Sequence, residues 1–186
     1  MNRCPIDMTH VTADPSCHPA ALDPDALAAE CAFHATRRSG PGGQNRNKVE
    51  TAVVLTHRPT GIRAEASERR TQGENRRAAL HRLRIELALT VRRPMGPGGD
   101  DRFRPSELWR SRCRGGRIAV NPAHDDFPAI LAEALDVLHA MGEDPRGAAE
   151  ALGCSPSQLI KLLREEPRGL AQVNVSRRQA GRHPLH

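Results

Sequence analysis

Aromatic side chains are nearly missing from this chain: Trp109 and three phenylalanines are all it has, with no tyrosine. Platforms that stack successive bases of a single strand need several exposed rings. Recognition of that kind is not expected, and any nucleic-acid contact should run through backbone and phosphate. Lysine is almost as scarce. Only Lys48 and Lys161 are lysine, so 26 of the 28 basic residues are arginine. The planar arginine fork suits phosphates and base edges, although a GC-rich genome produces the same bias. The five cysteines form no CxxC pair, their number is odd, and no apolar signal-peptide core precedes them. That usage fits a reduced cytoplasm. No stretch is long and apolar enough to span a membrane, so no membrane partner is expected. Cys4, His10, Cys17 and His18 match no common zinc spacing. Their segment reads as a frayed terminus, and neither a metal nor a cofactor is assigned.

What the chain does have is localised positive charge. The net charge is +6 and the pI about 9.7, which favours an anionic partner. Between Thr36 and Arg93 there are thirteen arginines and Lys48 against five glutamates, a net +9, leaving about −3 for the rest. The same segment contains Ser39-Gly40-Pro41-Gly42-Gly43-Gln44-Asn45-Arg46-Asn47. Glycine reaches positive φ without steric penalty and lets another molecule approach the main chain, while proline narrows the ensemble. Arg37, Arg38, Arg46 and Lys48 flank this loop, so a phosphate-bearing molecule is the expected visitor. Gly96-Pro97-Gly98-Gly99 repeats the core of the loop but is followed by Asp100 and Asp101. Such a string alone is a turn-forming segment; the glutamine, Asn47 and the cationic flank set the first copy apart.

At 186 residues the chain fits one domain, or one domain with an appendage. Asp23-Pro24 is a favoured helix start, for a short helix over Leu27 to Glu30. Cys31 to Arg38 reads as extended, with Phe33 pointing inward. Val49 to His57 alternates with β-branched residues and reads as a strand; a turn at 58–61 and a return strand Ile62 to Ala66 complete a hairpin. Thr71-x-x-Glu74 is a capping box that opens a helix. Leu80, Leu83 and Leu87 give that helix a buried stripe, and Arg76, Arg77, Arg82 and Arg84 cover much of the remainder. The fold class expected is therefore α+β: a small mixed β-sheet with a packed helix, followed by a C-terminal helical region.

Taken in order, the Ser39–Gln44 loop, Asn47, the valine-rich strand, Thr56-His57-Arg58-Pro59-Thr60-Gly61-Ile62, then Ser67-Glu68-Arg69, Gln72 and Asn75 resemble the GGQ domain of class I peptide chain release factors and their ribosome-rescue relatives. The resemblance covers about residues 30–90. It implies hydrolysis of the ester joining a nascent peptide to the 3′ terminal adenosine of P-site tRNA, in the peptidyl transferase centre of the large ribosomal subunit. On that analogy Gly42, Gly43 and Gln44 are catalytic. The Gln44 N–H donates to the developing oxyanion, and its side chain admits and orients water. Ser39, Gly40, Pro41 and Asn47 shape the loop. The substrate RNA supplies the 2′-hydroxyl that helps move the proton, so no protein base is required. Arg37, Arg38, Arg46, Lys48, Arg69, Arg76, Arg77, Arg82 and Arg84 are the expected RNA contacts. His34 and His57 are read as surface or packed histidines rather than bases. The resemblance also makes Gln44 a candidate for a glutamine methyltransferase; a cytoplasmic monomer is expected.

Decoding release factors are about twice this length, so codon-independent release (ribosome rescue) is the expected role. The domain reading is a flexible leader over 1–21, the GGQ domain over 22–91, an Arg-rich linker over 92–122, a helical region over 123–168 and a basic tail over 169–186. The helix capped at Asp125 or Asp126 has the stripe Phe127, Ile130, Leu131, Ala134, Leu135, Leu138 and Met141. Pro145 to Leu163 has a helix-turn-helix pattern, with Ala149, Leu152, Leu159 and Leu162 inward and Gly153 at the turn. Its second helix carries Glu165 and Glu166 beside Lys161 and Arg164, a weak nucleic-acid face. A small bundle is therefore favoured over duplex binding. Two alternatives remain: a non-catalytic ribosome- or RNA-binding factor, and a helix-turn-helix DNA-binding regulator.

Overall fold

The computed structural model describes residues 17–36, 51–93 and 103–186. Strands β1 (Cys31–Thr36), β2 (Ala52–His57) and β3 (Arg63–Ala66) form a three-stranded sheet in that order. Within the expected α+β class, both pairings are antiparallel. Thr36 stands opposite Ala52 and Val53 opposite Ala66. Asp23 caps α1 (Pro24–Ala29) by accepting from the Asp25 N–H, with Pro24 in the first turn.

Helix α2 (Gln72–Thr90) begins at the expected capping box: Thr71 accepts from the Glu74 N–H, and the Glu74 carboxylate accepts from the Thr71 N–H. It packs against β2 and β3 and also against α4 (Phe127–Ala140). Double coverage changes its burial along its length. The first half buries Asn75 and Ala79; the last two turns bury Leu83, Arg84, Leu87, Ala88 and Leu89, nearly all the way round. Leu80, expected in the stripe, is only partly buried. Phe33 also departs from expectation. It shares the face of buried Cys31 but stays 48% exposed, because β1 is an edge strand and α2 lies over β2 and β3. The Arg76 guanidinium sits over its ring, 5.9 Å from the centroid, within cation–π range.

The end of the segment read as a leader is docked. His18 Nδ1 accepts from the Ala20 N–H and starts a 3-10 turn, Pro19–Ala21, that buries Ala20 completely against α2 and α4. The ring's Nε2 donates to Val91 O, and burial lowers the His18 pKa to about 4.

The segment read as an Arg-rich linker folds from residue 103 to 118. Ser106 caps α3 (Glu107–Arg112) and is bound through N–H and hydroxyl by the Glu133 carboxylate on α4. Trp109 is 1% exposed, and its indole N–H donates to Leu152 O at 2.8 Å. One large buried ring outweighs the Gly/Pro/Arg composition. Next comes a minimal hairpin, β4 (Cys113–Arg114) and β5 (Arg117–Ile118). Its turn residues Gly115 and Gly116 have φ of +56° and +74°, the pairing that two-residue hairpins of the primed type require.

Helices α5 (Pro145–Ala151) and α6 (Pro156–Arg164) form the helix-turn-helix pattern expected over Pro145 to Leu163, with Ala149, Leu152, Leu159 and Leu162 buried. The basic tail is largely a helix, α7 (Pro167–Gln179), capped by Glu166 and started by Pro167. It buries Gly169 and Val173, one turn apart. A Cβ on Gly169 would lie 3.3 Å from Leu89 of α2 and 3.8 Å from Leu131 and Leu135 of α4, so glycine allows three helices to meet. Arg177 and Arg182 fold back to donate to Glu143 O and Gly142 O after α4. One continuous apolar core runs from Leu27 through α2 to Leu163 and Val173.

Candidate functional site

The strands fix the ends of the glycine loop. β1 and β2 are paired up to Thr36 and Ala52, so residues 37–50 connect adjacent antiparallel strands at one end of the sheet. The loop and flank positions Arg37, Arg38, Ser39, Gly40, Pro41, Gly42, Gly43, Gln44, Arg46, Asn47 and Lys48 lie outside the described residues.

Below this connection, Asn75 brings three segments together. It is 0% exposed on the first turn of α2. Its Oδ1 accepts from the Arg69 N–H at 2.8 Å. Its Nδ2 donates to Thr51 O at 2.7 Å and to Arg69 O at 3.1 Å. Only a primary amide offers an acceptor and two donors from one short side chain. Asn75 therefore ties the second stem of the loop to the entrance of α2. The neighbouring connection is braced by Arg82, which donates to both oxygens of Glu68, at 3.2 and 2.7 Å, and to Glu65 O at 2.8 Å.

The arginines expected to face RNA separate into three kinds. Arg69, Arg76 and Arg77 are exposed around the α2 entrance, with Arg76 over Phe33. Arg82 is exposed but held by Glu68. Arg84 contradicts the expectation: it is 6% exposed, and its guanidinium donates to Ala20 O at 3.0 Å and Asp125 O at 2.6 Å. Burial lowers its pKa, against the pull of Asp125, Asp126 and Asp23. The physical reason is α4, which covers the side of α2 that a lone amphipathic helix would give to solvent. Between α1 and α2 lies a groove of about 540 Å³ whose walls include Ala28, Arg76, Arg77, Leu80 and His81.

His57 is structural. It is 2% exposed, with Nδ1 on the Thr60 hydroxyl at 2.7 Å and Nε2 on Glu30 at 2.9 Å. It staples the β2–β3 turn to the end of α1. His34 is exposed on edge strand β1. Sequence reasoning missed the β4–β5 hairpin, although Gly115-Gly116 between Arg114 and Arg117 is a two-residue turn signal.

A three-stranded antiparallel sheet with one capped helix laid across it is an α+β arrangement consistent with a GGQ domain. Residues 25–99 match the family model of the RF-1 domain. They are an RF-1 domain, the GGQ-containing domain of class I release factors. The chain is 49% identical over 67 residues to peptide chain release factor 1 of Streptococcus thermophilus, covering 36% of this chain and 18% of that protein. It is 54% identical over 52 residues to the chloroplastic peptide chain release factor PrfB1 of Arabidopsis thaliana, covering 28% and 11%. A longer match, 33% identical over 139 residues, links 68% of this chain to 36% of peptide chain release factor 1 of Xylella fastidiosa. The chain thus spans about a fifth to a third of the release factor 1 proteins it matches. Among the described residues, no helix is long and apolar enough to cross a membrane.

Proposed function

We propose that this protein hydrolyses peptidyl-tRNA in the ribosomal peptidyl transferase centre and does so without reading a stop codon. The observation that carries the reading is the match of residues 25–99 to the RF-1 domain, whose sequence includes Gly42-Gly43-Gln44. The described strands that precede and follow this segment are paired, and Asn75 grips Thr51 just before the second. Water attacks the ester carbonyl carbon, negative charge collects on the carbonyl oxygen, and the bond to the 3′ oxygen of the terminal adenosine breaks. A main-chain N–H at Gln44, aimed at that oxygen, stabilises the tetrahedral state, and loss of one such donor typically costs a factor of about 100–1000. The departing 3′ oxygen takes the proton of the substrate's own 2′-hydroxyl while the 2′ oxygen takes one from the attacking water, so both hydroxyls and the peptide's carboxylic acid are formed with no proton left over. Arg37, Arg38, Arg46, Lys48, Arg69, Arg76 and Arg77 contact ribosomal RNA phosphates around the entrance. A glutamine methyltransferase acting on Gln44 belongs to the same reading.

Codon independence is supported by the way α4 and α7 close on α2: the region after the RF-1 domain is a helical layer sharing its core. The test is peptide release from ribosomes carrying labelled P-site peptidyl-tRNA, run in parallel with truncated mRNA and with a stop codon in the A site. Wild-type protein should release peptide on both, and Gly43→Ala should abolish release on both. Release restricted to the stop-codon complex overturns codon independence; undiminished release by Gly43→Ala overturns the mechanism.

A further inference from the structure

The cations of the C-terminal half differ in what they hold. Arg112 pairs with Asp126, Arg168 with Glu86 and Glu166, and Arg177 and Arg182 bind the carbonyls after α4. Arg114 and Arg117 are exposed and make no side-chain hydrogen bond or ion pair among the described residues. They are also register partners across the β4–β5 hairpin. Like charges directly opposite each other on a two-stranded ribbon are destabilising, so this ribbon holds a repulsion with no internal counter-charge.

The hairpin is anchored so that the pair points outward. The other register pair, Cys113 and Ile118, is half-buried and packed on the core, and successive residues of a strand face opposite sides. The Ser155 N–H donates to Gly116 O at 3.4 Å and the Ile118 N–H to Gln158 Oε1 at 3.3 Å, fixing the ribbon against the start of α6. Lys161, also exposed, lies along the groove of about 260 Å³ between β5 and α6.

We infer that the β4–β5 hairpin, with Arg114 and Arg117 at its tip and Lys161 beside it, is a second RNA-binding surface that grips the phosphate backbone of double-helical RNA. Opposed arginines on a fixed ribbon offer two planar forks, each able to bind a phosphate through paired N–H groups. Neither the hairpin nor α6 carries an aromatic residue to stack an unpaired base, and Trp109 before the hairpin is buried. Glu150 and Glu165, exposed on α5 and α6, oppose insertion of α6 into a groove, so contact is by shape and phosphate, as double-stranded RNA is commonly recognised. The choice of RNA over DNA rests on the ribosomal role proposed above.

The experiment uses the full chain and a duplex of about 16 base pairs, the span of a typical double-stranded RNA contact, made as RNA and as DNA of the same sequence. Binding is followed by fluorescence anisotropy over a salt series. Arg114→Gln/Arg117→Gln should bind the RNA on the order of 30-fold more weakly at about 0.15 M salt, with a log–log salt slope shallower by nearly two. Its melting temperature should stay at or slightly above wild type, because the lost charges repel each other. Unchanged RNA affinity in the double variant overturns the inference, and DNA bound as tightly as RNA overturns the choice of partner. A wild-type protein that releases no peptide yet loses RNA affinity through these two substitutions would sink the hydrolase reading and leave the hairpin surface standing.

Discussion

Replacing Asn75 with alanine tests the link between the helix and the loop stem. The substitution removes three hydrogen bonds, to the Arg69 N–H, Arg69 O and Thr51 O. A typical bond contributes about 1 kcal/mol net, and a buried group left without a partner costs about 1–3 kcal/mol. Arg69 is exposed and Thr51 half-buried, so water reaches part of what is left and the total should be about 2–3 kcal/mol. For a protein of this size that corresponds to a fall in melting temperature of roughly 4–12 °C. Urea denaturation followed by far-UV circular dichroism measures it directly. Asn75→Asp sharpens the test, since it keeps the acceptor for the Arg69 N–H but turns a second oxygen towards two carbonyls. It should be worse than alanine at neutral pH. Burial among carbonyls raises the new carboxyl's folded pKa above its unfolded value, so its contribution to stability falls as pH rises and recovers on acidification, when the protonated form regains a donor. A loss below about 0.5 kcal/mol for both variants, within the range of ordinary surface substitutions, would refute the assignment of Asn75 as the clamp.

Trp109→Ala should cost about 3–5 kcal/mol and shift a single calorimetric transition; a C-terminal transition that moves alone would show two separate cores. Arg84→Leu should lower the melting temperature and leave the salt dependence of ribosome binding unchanged, whereas Arg76→Ala/Arg77→Ala should leave stability intact and weaken ribosome binding in pelleting assays. The reverse pattern would restore Arg84 to the RNA face. Asp136, which accepts from the Arg93 N–H, has its pKa raised by burial to about 6. Its folded form takes up a proton between about pH 6 and its ordinary value of 3.8, so its contribution favours folding at low pH and is lost as pH rises through about 6. Asp136→Asn should therefore gain on wild type from pH 4 to pH 7, by at most about 3 kcal/mol, in paired denaturation curves. His18, held neutral with its pKa near 4, acts with the opposite sign: its contribution is present above 6.5 and lost as pH falls towards 4. An Asp136→Asn difference independent of pH would remove that account.

The elements legible in the sequence were those with local chemistry at their ends. Thr71 and Glu74, Asp23 and Pro24, and Gly153 between α5 and α6 mark boundaries that depend on neighbours within a few residues, and the structure places each where the pattern puts it. Apart from the β4–β5 hairpin, whose Gly115-Gly116 turn is local, the misses come from distant contacts. Arg84 looked solvated because α4, more than forty positions on, cannot be seen from the α2 pattern; its partner Asp125 O is 41 residues away. Trp109 was read within a linker because its partner, Leu152 O, is 43 residues further on. α7 lacks a broad apolar stripe, since a glycine packed against two other helices, α2 and α4, leaves no hydrophobic signal. At the candidate site, Asn75 stood out by resemblance, but its bonds to Thr51 and Arg69 arise only from the meeting of strand and helix.

Helix α2 gives the molecule a fixed length. Its nineteen residues at 1.5 Å each span about 28 Å, with the Asn75 clamp at one end and the Leu89–Gly169 contact at the other. Between them the helix has no glycine or proline, its one glycine being Gly73 before the clamp, so it has no built-in hinge. Displacing the C-terminal layer must therefore carry the loop stem with it as one lever rather than bend between them. Where Thr51 and the Asn75 clamp stand is set by where α4 and α7 seat the far end of that lever, and substitutions at Gly169 should shift that clamp without touching any residue of it.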